Sequence, residues 1–300
     1  MHKKSGGKEK EIVQVTIVGL VVNLGLFVLK LTLGIIGHSQ AVVADAFHSL
    51  SDLITDFAII IGAHFWSKPA DDDHPHGHLR LEVLISFGIG LFLIVVAIII
   101  GWQAISTIRD VDIKTPGVVA LYAALISIVA KEILYRWTKK RGKSLKSLSL
   151  MANAWHHRSD ALSSIPAVIA VGTAIMYPSW EFVDHIGAIV MTIFILKGAY
   201  EIIKPSFSRL MDSGISLDEK NKIETRVLSC DGVYRIHKLR SRYIGSSEVS
   251  LDFHMEVDGD ITVTQSRVIY KEVKKRLLES EFSIVDVVIH IEPKKSDIPK

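Results

Sequence analysis

The sequence predicts an all-α membrane domain of six spans followed by a small soluble α+β module. Apolar blocks about as long as a bilayer is thick recur over the first two thirds of the chain, and most charges fall between or after them. From about Leu210 the pattern changes to the helical and alternating periodicities of a soluble domain. Composition alone says less, because 35 basic residues nearly cancel 32 acidic ones across 300 residues, leaving a formal net charge of +3.

A lysine-rich segment, residues 1–11, precedes a first apolar run that is too long for a signal peptide and lacks a small-residue cleavage site. Spans are expected at about 12–36, 40–66, 82–108, 115–136, 147–177 and 182–203, within a membrane domain of 12–208. The third is the clearest, since Val83–Ile108 has no charged residue and exceeds the roughly 20 residues that cross hydrocarbon. Lys139, Lys140, Arg141, Lys143 and Lys146 crowd the connection before the fifth span, whereas the connections at Gly37–Gln40, Arg109–Lys114 and Pro178–Trp180 are short and nearly balanced. The positive-inside rule then puts both termini in the cytoplasm.

The tail, 209–300, reads as helix, strand, strand, helix, strand. Ser216 and Glu219 have capping-box spacing ahead of a helix to about Leu228, and strands follow near 233–244 and 248–257. In the second strand Val249, Leu251, Phe253, Met255 and Val257 alternate with polar residues. A helix over about Thr264–Leu278 and a strand over Ile284–Ile291 complete the order. Fewer than 100 residues make a small core, which a second copy would help to cover.

Two spans carry polar residues that lipid should exclude. In the second, Asp45, His48, Asp52 and Asp56 recur at intervals of three or four and share one face, a possible ion pathway. In the fifth, His156 and Asp160 are four apart, with Asn153 one turn earlier and Ser163 and Ser164 following. A charge in a span costs about 2.5–3.5 kcal/mol on insertion scales, so these acids need water, a cation or partners. Two helices that each present His-x-x-x-Asp can bring two imidazoles and two carboxylates to one point, a nitrogen and oxygen set suited to Zn²⁺.

The loop between the second and third spans adds Asp71, Asp72, Asp73, His74, His76 and His78, a cluster that suits metal capture. Pro75 and Gly77 suggest a turn in which not every one of these side chains converges. The single cysteine, Cys230, excludes a disulfide framework and a thiolate zinc cluster.

His48-x-x-x-Asp52, His156-x-x-x-Asp160, the Pro69-Ala70-Asp71 to Gly77-His78 loop and Leu210-Met211-Asp212 together resemble the cation diffusion facilitator family over nearly the whole chain. The resemblance implies a homodimer of six-span protomers with a ferredoxin-like, metallochaperone-like cytoplasmic domain, exporting divalent metal by proton antiport across a prokaryotic cell membrane. Carried over by position, it implies a transport site of His48, Asp52, His156 and Asp160, with His156 chosen over His157. It also implies a loop site of Asp71, His74 and His78, a tail site of His237, His254, His290 and Glu292, and a charge lock of Arg80 with Asp212. Arg267 stands where some relatives place a further histidine, which disfavours a two-zinc cluster in the tail.

Zinc is the first cargo expected, with iron, manganese, cobalt or cadmium as alternatives, because two imidazoles disfavour Mg²⁺ and Ca²⁺. The metal's own ligands must be deprotonated to bind, so protons from outside can eject it. The ion is cargo, and no catalytic cofactor or enzyme activity is expected. The rival readings are a non-transporting metal sensor or scaffold and a membrane-embedded zinc hydrolase, for which a His-Glu-x-x-His motif is missing. Nucleic-acid binding has no support, since membrane orientation explains the basic loops.

Overall fold

The computed structural model describes residues 5–66, 68–108, 115–145 and 147–294. Helices of membrane length come first: α1 (Ser5–Ile36), α2 (Gln40–Trp66), α3 (Arg80–Thr107) and α4 (Val118–Ser144). The fifth predicted span is two helices, α5 (Leu148–Ser163) and α6 (Ile165–Met176), and the sixth is α7 (Phe182–Leu210). Among the described residues, five continuous or broken helices are long and apolar enough to cross a membrane. α2, the helix that carries the acids, is 27 residues long.

Four boundaries differ from the sequence expectation by a turn or more, one of them the end of α7, which runs through Pro205 to Leu210 rather than stopping near 203. α1 begins at Ser5 rather than near 12, because the Lys8–Glu11 stretch is made of good helix formers that continue the apolar helix. α4 runs to Ser144 for the same reason, through its basic residues. The fifth span breaks at Ser164: Pro166 lacks the amide that an unbroken helix needs, and the Ser163 hydroxyl donates to the Asp160 carbonyl at 2.9 Å.

The chain divides into two compact units, Met1–Ile60 with Gly88–Ile202, and Ile61–Phe87 with Ile203–Lys300. In the first, the core is built on small residues, among them Ala41, Ala44, Ala120, Ala123, Ala167, Ala170 and Ala188. Small side chains let helix backbones approach where no hydrophobic drive operates between them. Gly187 is the extreme case, since a Cβ there would collide with those of Ala170 and Ala41. Asp184 is buried at the start of α2, accepting from the Ser39 hydroxyl at 2.7 Å and the Gln40 amide at 2.6 Å, so one helix caps another.

The second unit contains α8 (Leu217–Leu228), β1 (Arg235–Tyr243), β2 (Val249–Val257), α9 (Val263–Leu278) and β3 (Ile284–Pro293). The sheet order is β1-β2-β3, with β1 antiparallel and β3 parallel to β2. This is the expected α-β-β-α-β order. The five apolar residues of β2 are all buried, against Ile223 and Val227 of α8 and Val273 and Leu277 of α9. Capping boxes start both helices, the expected Ser216–Glu219 and a second, Thr262–Gln265.

Candidate metal centre

Within the first unit, α2, α5 and α7 enclose a cleft of about 400 Å³ lined by His48, Asp52, His156, Asp160, Ser163 and Glu201, among others. Ligand atoms of Asp52, His156 and Asp160 lie within 4.8 Å of one another. His156 is the hinge of the trio: its Nε2 is 4.0 Å from Asp52 Oδ1 and its Nδ1 is 3.8 Å from Asp160 Oδ1. Those two contacts use opposite nitrogens of one ring, and an ion would take only one of them; ligands about 2.1 Å from a tetrahedral ion stand about 3.4 Å apart, so a set within 4.8 Å would close by up to about 1.4 Å around a cation.

Of the four residues expected at this site, three converge directly. His48 lines the same cleft, but its Nε2 is 3.1 Å from the Ser163 hydroxyl rather than among the three. His157 is buried and faces away, its Nε2 3.3 Å from where a Cβ at Gly19 of α1 would be. Asp45 does not line the cleft. It is wholly buried, 3.1 Å from the Lys30 ammonium, and accepts from the Ser164 hydroxyl at 2.8 Å. The Asp56 side chain lies outside the described residues.

Sequence reasoning missed two buried lysines. Lys30 on α1 pairs with Asp45 and donates to the Ser49 hydroxyl at 2.5 Å; Lys131 on α4 is 3.1 Å from Asp160 Oδ2. Both are fully enclosed. Their signal was available, since a lysine inside an apolar span demands an acidic partner. What could not be read was which acid each would choose.

In the second unit the loop cluster closes on itself. Asp71 Oδ1 accepts from the His74 amide at 2.7 Å and is 3.2 Å from His74 Nδ1, while Asp71 Oδ2 is 3.4 Å from His78 Nε2. The amide bond above all holds the Asp71 carboxyl below the usual carboxylate range. Asp71, His74 and His78 form a three-ligand group. His76 is not in the trio but lines a cleft with Pro75 and His78, and Gly77 between the two histidines takes the left-handed backbone, φ +77°. Arg80 donates to Asp212 Oδ1 at 2.6 Å, with both side chains about half exposed.

Strand register assembles the tail cluster. His237 pairs across the ladder with His254, and His254 with His290, so three histidines form one row over three strands. His254 Nδ1 donates to Glu292 Oε1 at 2.6 Å, and His237 Nε2 is 3.2 Å from Glu292 Oε2. The His254 bond is the main reason that the Glu292 carboxyl lies below its ordinary value. His237, His254 and Glu292 form a three-ligand group, with His290 stacked on His254 at 4.9 Å. Glu256, unforeseen, is buried behind them with Oε1 3.7 Å from His237 Nδ1. Arg267 is exposed on α9.

Apolar helices of membrane length, with carboxylates and an imidazole gathered on a cleft among them, define a multi-pass membrane protein with a candidate divalent-metal site. Residues 16–211 match the family description "Cation efflux transmembrane domain" and residues 215–294 match "Cation efflux protein, cytoplasmic domain". The chain therefore belongs to the cation diffusion facilitator family of metal cation efflux transporters. The manganese efflux system protein MneP of Bacillus subtilis (strain 168) is 34% identical over 288 residues, covering 93% of this chain and 95% of that protein. Metal tolerance protein C1 of Arabidopsis thaliana is 31% identical, covering 97% of this chain and 64% of that one. A crystal structure of the cytosolic domain of a cation diffusion facilitator family protein is 28% identical, covering 26% of this chain and 90% of that one, with a TM-score of 0.24.

Proposed function

We propose that this transporter exports a divalent transition metal from the cytoplasm in exchange for protons, through a site made of Asp52, His156, Asp160 and His48. One observation carries the reading: ligand atoms from α2 and α5 lie within 4.8 Å of one another on a cleft inside membrane helices. Moving M²⁺ out of a negative cytoplasm costs about 2.3 kcal/mol per charge per 100 mV, or about twice that per ion, so a downhill flow must drive it. Proton entry fits because imidazole and carboxylate bind metal only when deprotonated. Alternating access would come from rocking of helix groups about the site.

The cargo reading turns on how many imidazoles reach the ion. With His48 bonded to Ser163, the trio is one nitrogen and two carboxylates, a set that suits Mn²⁺; with His48 released, two nitrogens favour Zn²⁺. The manganese role in the name of the Bacillus relative supports the first, so manganese is placed ahead of zinc. The loop trio and the tail row are proposed as further metal sites, and Arg80 with Asp212 as a charge lock. In this reading residues 12–208 form the membrane domain and 209–300 a cytoplasmic domain. Both termini are cytoplasmic, and the protein works as a homodimer in a cell membrane.

Reconstituted vesicles test this. Flux of Mn²⁺ and Zn²⁺ should rise with a proton gradient opposed to metal movement and vanish in Asp52→Ala or Asp160→Ala, while His48→Ala should spare Mn²⁺ and lose Zn²⁺. Flux indifferent to the gradient would reject antiport. Metal binding without flux would instead favour the sensor reading.

A further inference from the structure

The end of α4 and the early turns of α5 hold a cluster that the metal sites do not use. The rings of Tyr135 and Trp155 are 5.6 Å apart. Lys139 Nζ donates to the Tyr135 hydroxyl at 2.7 Å, and Arg158 Nη1 donates to the same oxygen at 3.2 Å. Two cations that share one oxygen at these distances are at most about 6 Å apart. Both also lie against the aromatic pair. Lys139 Nζ is 5.0 and 5.1 Å from the centroids of Tyr135 and Trp155, and Arg158 Cζ is 5.0 and 5.6 Å from them.

What is missing is a negative charge. Among the described residues neither cation has a carboxylate partner: nearby Arg136 pairs with Glu132 and Arg141 with Glu11. Between Glu132 and Asp160 the chain has seven lysines and arginines and no acid at all. A phenol oxygen and two ring faces orient a pair of like charges without neutralising them, so the cluster is complementary to an anion with several acceptor oxygens. Its place on the helices says which anion. Tyr135 and Lys139 lie where the apolar part of α4 gives way to its basic end, and Trp155 is half exposed, as interfacial tryptophans are. Leu162, seven residues on and so on the same face of α5 as Trp155, is exposed and apolar, a surface for an acyl chain.

We propose that Lys139 and Arg158, mounted on Tyr135 and Trp155, bind the phosphate of an anionic phospholipid. The lipid would clamp α4 to α5, the two helices that bring Lys131 to Asp160.

The test uses the full-length protein in detergent, titrated with phosphatidylglycerol, phosphatidylcholine or inorganic phosphate, with bound lipid counted by native mass spectrometry and melting followed in parallel. Phosphatidylglycerol should bind and raise the melting temperature. The Lys139→Gln/Arg158→Gln variant should bind it at least about tenfold more weakly, because two charge-assisted contacts to the phosphate are lost. The Lys140→Gln/Lys143→Gln variant, which loses equal charge outside the cluster, should bind normally. The charge-conserving Lys139→Arg/Arg158→Lys variant should bind too, which separates lost binding from lost folding. Equal losses in the two glutamine variants would overturn the proposal, as would equal binding of phosphatidylcholine or displacement of the lipid by inorganic phosphate at matched concentration.

Discussion

The Lys131 ammonium lies 3.1 Å from Asp160 Oδ2, with both groups buried, while the other oxygen of that carboxylate faces His156 in the cleft. A tethered cation therefore shares one of the proposed metal ligands. Counting Lys131 with Asp52 and Asp160, the formal charge of these groups sums to one negative instead of two. That is a compromise suited to a carrier, which must release what it binds.

Breaking a buried pair by removing one partner costs about 3–5 kcal/mol, because the other charge is left uncompensated. Lys131→Met and Asp160→Asn should each lose stability of that order, and the double variant should lose less than the sum. In Lys131→Met, added Mn²⁺ or Zn²⁺ should raise the melting temperature more than in the parent, since the ion takes over the missing charge. Additive losses that metal does not relieve would show the two residues to be uncoupled.

Ser164 ends α5 and binds the buried Asp45 at 2.8 Å. Ser164→Ala should cost about 1–3 kcal/mol, the usual penalty for an orphaned buried polar group. Because Lys30 still holds Asp45, the loss should be smaller than that of Lys30→Met. Denaturant unfolding of the two variants side by side decides the order.

Glu292 has a folded pKa below its unfolded one, owing first to the bond from His254. The unfolded chain then binds more protons, so the carboxylate's contribution to stability is fully present above the ordinary value of about 4.5 and is lost as the pH falls through the lower, folded value. The melting difference between the parent and Glu292→Gln should hold steady at neutral pH and shrink in acid below that range. A difference that grows in acid contradicts the sign.

Arg80 and Asp212 form a single exposed ion pair, worth about 0.2–1 kcal/mol. Arg80→Ala should barely move the melting temperature. If the pair locks the transporter, flux should fall in Arg80→Asp and in Asp212→Arg and return when the two are combined. No recovery in the swapped protein leaves the contact as an ordinary surface pair.

The sequence by itself determined much that is local, though not the helix break at Ser164. Five long apolar helices were legible from apolar length, the polar stripes of α2 and α5 from helical spacing, the Ser216 cap from its partner three residues on, and the burial of β2 from strict alternation. Tertiary structure alone decided the pairings: Lys30 with Asp45, Lys131 with Asp160, His48 with Ser163, and the row of His237, His254 and His290 across three strands. Repeats of 3.6 and 2 residues fix which side chains share a face of one element. Which face meets which depends on helix rotation and strand register, set by close packing of small residues and by ladder pairing between segments far apart in the chain.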